Sequence, residues 1–245
     1  MMSISAVLQK LWFGLFPPVC LICRQPAQHS MDICTGCQAD LPALGYACQR
    51  CAEPLGTQLE LCGRCQQRLP AYDRVHAAFL YHPPVSRLVS RFKYQRHQPS
   101  GQALGQLLAL SVQQAIAAQS IEMPDCLLPI PLHPMRQIQR RFNQSAMLAA
   151  DVQSHLQRHN LHTKVDYQVL QRTRLTKTQT GLSLTERRRN LKAAFRLSAA
   201  PPKHVALVDD VLTSGSTAAE CASLLKHNGC ERVQVWVVAR AQRPD

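Results

Sequence analysis

The chain has few aromatic residues and no long uninterrupted apolar run. Aromatic residues make up 5% of its 245 residues, so a surface on which several nucleic-acid bases could stack is not evident. The apolar stretch Ile4 to Phe16 is interrupted by Gln9 and Lys10. It is too short to span a bilayer and lacks the small-residue cleavage site of a secretory signal. We therefore expect a cytoplasmic protein.

This stretch instead has the spacing of an amphipathic helix. Its apolar residues recur at helical intervals before Pro17 and Pro18 end the helix. We expect residues 1–18 to form an N-terminal helix whose apolar face is covered. The face either packs against the chain's own domains or docks on a partner or on the membrane surface, which would make the protein membrane-peripheral.

Two common nucleotide-binding motifs are absent. The sequence contains no G-x-x-x-x-G-K-[ST] loop and no G-x-G-x-x-G. The usual signatures for nucleoside triphosphates and for dinucleotides are therefore missing.

Acidic residues are also scarce, and the excess of basic charge is concentrated. The chain has 28 Lys or Arg against 15 Asp or Glu. Residues 1–70 hold five basic and four acidic residues, whereas residues 130–200 hold thirteen and three. Such a segment attracts phosphates, nucleic acid or an anionic membrane surface. The alternative is a solubilising surface.

Cysteine is plentiful, and eight of the eleven cysteines form Cys-x-x-Cys pairs. The spacing C-x2-C-x10-C-x2-C occurs twice with a shift of 28 residues, which is an internal repeat. In a chain without an export signal, such pairs indicate metal ligands, and four thiolates suit tetrahedral zinc. We expect two structural zinc ions, with sequential and interleaved ligand pairing both open. The predicted ligands are Cys20, Cys23, Cys34, Cys37, Cys48, Cys51, Cys62 and Cys65. The remaining three, Cys126, Cys221 and Cys230, are expected in the core.

Beyond Pro70, apolar runs alternate with helical stretches, which is typical of an α/β domain with a parallel sheet. We expect strands over residues 75–81, 126–130, 165–170, 205–208 and 233–238. Helices are expected over 85–92, 104–116 and 217–227. A helix capped by Asn143 should bury Ala146, Met147, Ala150 and Val152. The basic stretch 171–180 is expected to be a mobile loop, followed by a helix that starts at the capping box Ser183 to Glu186.

The segment Val205 to Thr217, VALVDDVLTSGST, carries the most chemical information. Asp209 and Asp210 follow an apolar strand, at the sheet edge where open α/β folds bind ligands. Adjacent carboxylates suit a diol, a cation or both. A run of hydroxyl groups and backbone N–H groups then opens the next helix and suits a phosphate dianion. This run comprises Thr213, Ser214, Gly215, Ser216 and Thr217. The spacing predicts a sugar-phosphate site.

This segment resembles the phosphoribosyl-pyrophosphate (PRPP) signature of type I phosphoribosyltransferases. Combined with the N-terminal cysteine pairs, it resembles more narrowly the ComF family of competence and DNA-utilisation proteins. The resemblance covers nearly the whole chain. It includes Lys93-Tyr94, Pro129 to His133, Arg140 with Phe142-Asn143-Gln144, and a series from Arg172 to Phe195. Family members usually have glycine where Arg96 and Arg141 stand here.

The resemblance implies a type I phosphoribosyltransferase fold at residues 71–245, behind a double zinc ribbon at 19–70. It implies that Asp209 and Asp210 hold the ribose hydroxyls, with Mg²⁺ bridging the diphosphate, and that residues 213–217 bind the 5-phosphate. The turn 131–141 would be the pyrophosphate loop, and 172–189 a hood that closes over the ligand. Further site residues implied are Pro131, Leu132, His133 and Arg140 for PRPP, and Arg174, Lys177 and Arg187 to neutralise the leaving pyrophosphate.

Three functions are compatible with these features. The resemblance implies a protein that binds PRPP and acts in the uptake or use of incoming DNA, with single-stranded DNA as a candidate partner. A competence-machinery protein or the membrane periphery would then be a partner for residues 4–16. The alternatives are an active phosphoribosyltransferase of unknown acceptor and a PRPP-sensing regulator without turnover. The sequence does not indicate an oligomeric state.

Overall fold

A computed structural model describes residues 18–27, 31–132, 142–173 and 194–242. Within these ranges the helices are α1 (Thr35–Ala39), α2 (Gly63–Gln67), α3 (Val85–Tyr94), α4 (Gln98–Ala117), α5 (Gln144–Arg158) and α6 (Ser216–His227). The strands are β1 (Arg74–Leu80), β2 (Cys126–Pro129), β3 (Lys164–Val165), β4 (Leu170–Arg172), β5 (Phe195–Leu197), β6 (His204–Leu212) and β7 (Arg232–Arg240).

Five strands form a parallel sheet in the order β1-β7-β6-β2-β3, and β4 and β5 form a separate antiparallel ribbon. The central strands β6 and β7 are almost entirely buried. Their near-continuous apolar sequences are typical of parallel strands covered on both faces. The predicted α/β class with a parallel sheet is confirmed.

Each face of the sheet is covered by different elements. On one face, the apolar sides of α3, α4 and α5 pack against residues that include Val208 and Trp236. On the other, α6 and the β4–β5 ribbon pack against residues that include Leu207 and Val235. Because side chains alternate along a strand, consecutive residues of β6 face different helices.

The two cysteine repeats lie against opposite faces of this sheet. Cys20 and Ile33 of the first repeat are buried in one core with α3 and α4. Cys48 and Cys65 of the second repeat are buried in the other core with α6. The segment between the repeats joins the edge strand through Leu80, whose N–H donates to the carbonyl of Pro42 at 2.9 Å. The cysteine module is therefore packed into both cores of the α/β domain.

Most predicted elements are present, with four corrections. The helix expected over residues 104–116 is α4, which begins six residues earlier, at Gln98. The predicted strand 165–170 is two short strands, β3 and β4, which belong to different sheets. Residues 171 and 172, expected in a loop, belong to β4. The predicted strand 205–208 continues to Leu212, because its backbone pairs with β7 as far as Arg240.

The inner face of α5 also differs from the prediction. Asn143 does cap this helix, accepting from the N–H of Ser145 at 3.0 Å. Of the four predicted core residues, only Val152 is buried, while Ala146, Met147 and Ala150 are partly exposed. The buried residues are Gln144, Ser145, Leu148, Ala149, Val152 and Leu156. The prediction was wrong because residues 146–150 are all apolar, so their pattern does not fix which side of the helix faces inward, and because Gln144 and Ser145 are buried although they are polar.

Two predicted helices lie outside the described residues: the one at residues 1–18, apart from Pro18 at its end, and the one that begins at Ser183. Within the described ranges, no helix combines the length and apolarity that a membrane crossing requires. The three cysteines expected in the core, Cys126, Cys221 and Cys230, are buried.

Candidate functional site

The eight paired cysteines form two clusters of four, and each cluster uses the ligands of one repeat. The sulfur atoms of each cluster lie within 4.8 Å of one another. Cys23 and Cys34 Sγ are 3.7 Å apart, and Cys51 and Cys62 Sγ are 3.6 Å apart. A tetrahedral zinc ion with Zn–S bonds of about 2.3 Å places its sulfur ligands about 3.8 Å apart. The clusters therefore fit two structural zinc ions, and the pairing is sequential.

The repeat extends to the backbone of the cysteine turns. The N–H of Arg24 donates to the carbonyl of Cys20 at 2.9 Å, and the N–H of Ala52 to that of Cys48 at 2.8 Å. Arg24 and Ala52 both adopt a left-handed conformation, with φ of 66° and 53°. Non-glycine residues adopt this conformation mainly where the surrounding structure requires it. Both turns thus hold the same tight geometry, 28 residues apart.

The first cysteine of each repeat is prepared for metal binding. Burial alone raises the pKa of the Cys20 thiol, but backbone hydrogen bonds, chiefly from Cys23 and Cys34, outweigh it and lower the pKa to about 6. At Cys48, burial is likewise outweighed by backbone hydrogen bonds from Cys62 and Cys51, and the pKa falls to about 7. The pKa values of other ligands in the clusters are raised, chiefly by a hydrogen bond from Cys23 at Cys37 and by burial at Cys51 and Cys65. Each cluster therefore forms one thiolate first, and the remaining thiols lose their protons as the metal binds.

The acidic pair lies on β6, beyond the point where β2 stops pairing with it. The last pair of β2 and β6 is Pro129 with Val208. Asp209 and Asp210 therefore follow the end of one neighbouring strand while β7 continues on the other side. This leaves the two carboxylates at a gap in the carboxyl edge of the sheet, where parallel sheets bind ligands.

The two carboxylates have different partners, which come from two helices on the same face of the sheet, α5 and α3. Asp209 Oδ1 accepts from Ser145 Oγ and from the N–H of Asp210, both at 2.9 Å. Asp210 Oδ1 lies 2.8 Å from Nζ of Lys93 on α3, and this carboxylate is buried. One lysine thus faces two adjacent acids. The arrangement can accept a further cation or hydroxyl donors.

Asp209 is poised to change its charge near neutral pH. Burial, together with the neighbouring charge of Asp210, raises the pKa of Asp209 to about 7. The ammonium group of Lys93 and the hydrogen bonds from Asp210 and Ser145 oppose this shift. A carboxylate with a raised pKa gains from a cation or from hydroxyl donors that stabilise its ionised form.

Helix α6 begins beside these acids without a side-chain cap. Its N-cap residue is Gly215, which has φ of 74° and no side chain to accept from the first turn. Ser214 Oγ lies 2.8 Å from Ser216 Oγ and accepts from the N–H of Ser216 at 3.3 Å. Thr213 is exposed, and Ser214, Ser216 and Thr217 are partly exposed. Hydroxyl groups and the positive end of the helix dipole therefore meet at an accessible helix start, which suits an anion.

Gly215 is required at this position for two reasons. Its left-handed conformation is unfavourable for residues with a side chain. A Cβ atom here would also lie 2.9 Å from Oη of Tyr72, which is buried. The turn into α6 therefore depends on glycine.

The structure describes only part of the predicted site. The acids and residues 213–217 lie together at the end of β6 and the start of α6. Pro131 and Leu132 directly follow the end of the neighbouring strand β2 and are partly exposed. The other predicted site residues, His133, Arg140, Arg174, Lys177 and Arg187, lie outside the described residues, as do nine of the thirteen basic residues of segment 130–200.

Sequence reasoning missed three residues that contact the predicted site. Lys93 and Ser145 contact the acids, and Arg240 contacts the start of the phosphate loop. The Lys93-Tyr94 pair was a visible signal, but neither Ser145 nor Arg240 belongs to a motif. Arg96, where family members usually have glycine, adopts a left-handed conformation with φ of 54°. The backbone geometry typical of glycine is thus kept there without glycine.

Comparisons with known proteins agree with both halves of the chain. A family model described as a double zinc ribbon domain matches residues 12–66. Competence protein F of Haemophilus influenzae is 36% identical over 227 residues, covering 91% of this chain and 96% of the relative. DNA utilization protein YhgH of Escherichia coli strain K12 is 38% identical over 226 residues, covering 91% and 97%.

Among solved structures, a hypoxanthine phosphoribosyltransferase from Staphylococcus aureus aligns over 56% of this chain and 62% of the enzyme's chain. The sequence identity is 14% and the TM-score is 0.35. The likeness to the two relatives is far stronger and spans both the cysteine repeats and the α/β domain. The chain belongs to the ComF family, and its parallel α/β domain follows a double zinc ribbon.

Proposed function

We propose that the protein binds PRPP with Mg²⁺ at residues 209–217. One observation carries this proposal: two adjacent carboxylates and an uncapped helix start follow each other within nine residues at the carboxyl edge of the sheet. A ribose 5-phosphate has hydroxyl groups at one end and a dianion at the other. The acids suit the first, and the start of α6 suits the second.

In this proposal each group has a separate role. Asp209 and Asp210 would accept from the ribose hydroxyls and help to hold a Mg²⁺ ion, which would supply positive charge to the diphosphate. Lys93 limits the repulsion between the acids when the site is empty. Residues 213–217 bind the 5-phosphate, and the turn 131–141 receives the pyrophosphate. Arg174, Lys177 and Arg187 neutralise the charge on the pyrophosphate group.

We further propose that this site serves the uptake or use of incoming DNA. The support is that the two relatives, similar over nine-tenths of the chain, are named competence protein F and DNA utilization protein YhgH. The excess of ten positive charges in segment 130–200 would attract a single strand of DNA. A membrane-peripheral position through residues 4–16 stays a prediction.

Calorimetry with PRPP and Mg²⁺ tests the binding proposal. The parent should bind, and the double variant Asp209→Asn/Asp210→Asn should not. Asp125→Asn is a matched control, since this acid accepts from the N–H of His204 at the opposite end of β6. Equal binding by the parent and the double variant would place PRPP elsewhere.

Turnover and DNA binding need their own assays. Release of pyrophosphate with a panel of bases and amines would identify a transferase, whereas binding without release would favour a sensor. Gel shifts with single-stranded DNA should show a steep salt dependence. A contact with about six phosphates weakens about 300-fold between 50 and 200 mM salt. Absence of a shift at low salt would contradict direct DNA binding.

A further inference from the structure

Arg240 is a charged side chain buried where the two halves of the chain meet. It is the last residue of β7, and its backbone pairs with Leu212 of β6 on one side and Leu80 of β1 on the other. Its side chain is fully buried. Burying a guanidinium group is costly unless its donors are hydrogen-bonded, so its partners show what the residue is there to hold.

The guanidinium group joins the second cysteine repeat to the start of the phosphate loop. Nε donates to the carbonyl of Cys51 at 3.1 Å, and Nη2 contacts the carboxylate of Glu53. Nη1 donates to the carbonyls of Leu212 at 2.9 Å and Thr213 at 2.7 Å. It also contacts the carbonyl of Ala241. One side chain thus touches a predicted zinc ligand and the backbone that leads into Gly215.

Both ends of this contact are set by backbone geometry. The carbonyl of Cys51 belongs to the tight turn in which Ala52 is left-handed. The carbonyls of Leu212 and Thr213 immediately precede the hydroxyl groups proposed to bind phosphate. Because the guanidinium group is planar and its donors are fixed relative to one another, a shift of the turn must be transmitted to the loop or break hydrogen bonds.

The first repeat has no equivalent contact within the described residues. Gln25 stands at the position that corresponds to Glu53 after the shift of 28 residues. The first repeat is contacted instead by Arg91 of α3, whose Nη1 donates to the carbonyl of Leu21 at 3.3 Å. The two repeats therefore differ in what they can position, although their cysteine geometry is the same.

We propose that Arg240 is a positioning residue through which the second zinc site sets the geometry of the phosphate loop. Loss of zinc from Cys48, Cys51, Cys62 and Cys65 releases the Cys51 turn, and Arg240 then no longer holds the carbonyls of Leu212 and Thr213 in place. The loop loses its preorganised form and its affinity for phosphate. The effect on affinity rests on the proposed PRPP site, whereas the effect on loop geometry does not.

The coupling must act in both directions. If zinc in the second site raises the affinity for PRPP, PRPP must raise the affinity of that site for zinc by the same factor. The first site should respond less, because its Arg91 contact leads to α3 and the Lys93–Asp210 pair and not to the carbonyls of Leu212 and Thr213. This asymmetry separates a specific coupling from general stabilisation of the fold.

Hydrogen exchange of residues 209–220 tests the positioning role without any ligand. Arg240→Lys keeps the charge but replaces the three nitrogen atoms of the guanidinium group by one. The lysine therefore cannot bind the carbonyls of Cys51, Leu212 and Thr213 together. We expect exchange of the loop amides to rise about tenfold, which corresponds to the loss of one or two hydrogen bonds. Arg91→Lys is the matched control and should leave the loop unchanged. Unchanged exchange in a folded Arg240→Lys variant would overturn the proposal.

A second variant covers the case in which Arg240→Lys does not fold. Glu53→Gln removes the charged partner but keeps the size of the side chain, and it should raise loop exchange several-fold. Calorimetry on each folded variant should then show weaker PRPP binding, in the same order as the rise in exchange. Parent-like exchange in Glu53→Gln and in any folded Arg240 variant would refute the positioning role.

Thiol alkylation in the presence of a chelator tests the reverse direction, site by site. Mass spectrometry follows the labelling of cysteines 48–65 and 20–37 separately in the full-length chain. PRPP with Mg²⁺ should slow labelling of the second set about threefold or more and that of the first set less. In Arg240→Lys this difference between the two sets should disappear. PRPP binding with no change at the second set would overturn the coupling. If calorimetry shows no PRPP binding by the parent, the proposed function fails, and hydrogen exchange alone decides the positioning role.

Discussion

Replacing Asp209 by asparagine should stabilise the ligand-free protein while it abolishes binding. Asp209 Oδ1 accepts from Ser145 Oγ and from the N–H of Asp210, and an asparagine oxygen can accept both bonds. The substitution therefore keeps the local contacts and removes one of two adjacent negative charges. Sites that bind charged ligands commonly sacrifice stability in this way.

The magnitude follows from the raised pKa of Asp209. A change from 3.8 to about 7 corresponds to at most about 4 kcal/mol of destabilisation by the ionised form. Because Asp209 is partly exposed and its charge is shared with Asp210 and Lys93, we expect about 1–2 kcal/mol. The protonated form is favoured in the folded state, so this cost is absent below pH 4. It grows as the pH rises and is complete above pH 7.

Urea denaturation of the parent and of Asp209→Asn at pH 4 and pH 8 measures this effect. The two proteins should be equally stable at pH 4, and the variant more stable at pH 8. Asp166→Asn is the control, since Asp166 Oδ1 also accepts two N–H bonds, from Gln168 and Val169, without a second carboxylate in those bonds. It should not stabilise the protein. A gain in Asp209→Asn that is the same at both pH values, or a loss at pH 8, would refute the reasoning.

Three further predictions concern the loop, the ion pair and the metal. Urea denaturation should show that Gly215→Ala lowers the free energy of unfolding by about 2–3 kcal/mol, and that Gly229→Ala lowers it by about 1 kcal/mol. Both glycines have positive φ, but of the two only Gly215 faces Tyr72. Equal losses in the two variants would contradict this contact. Lys93→Met should lower the free energy of unfolding by about 2 kcal/mol, because it leaves the buried Asp210 without its ion-pair partner. Adding Asp210→Asn should restore most of this stability in a double-mutant cycle. Additive losses would argue against the ion pair. Metal analysis should find two zinc ions per chain, and a zinc content near zero would refute the assignment. Chelation should lower the Tm of the whole chain, because both cysteine clusters are buried in the cores that cover the sheet.

The sequence predicted the features that repeat or alternate. The 28-residue repeat located both metal sites, and the structure decided between the two ligand pairings that spacing left open. Apolar runs located the strands of the parallel sheet, although the end of β6 was misplaced by four residues. Polar residues seemed to end that strand, whereas pairing with β7 extends it to Leu212.

Contacts between distant segments could not be read from the sequence. Ser145 is 64 residues from Asp209, and Arg240 is 187 residues from Glu53. The inner face of α5 was misassigned because residues 146–150 are apolar on every side of the helix, while the polar residues Gln144 and Ser145 are buried. Where polar residues near a functional site are buried, the spacing of apolar residues alone does not identify the inner face of a helix.

The central claim is that PRPP binds at residues 209–217, and a crystal structure with PRPP and Mg²⁺ tests it most directly. We expect the ribose hydroxyls to contact the carboxylates of Asp209 and Asp210, and the 5-phosphate to lie within hydrogen-bond distance of the backbone N–H groups at the start of α6. Ligand density elsewhere on the molecule, or none at a saturating concentration of PRPP, would contradict it.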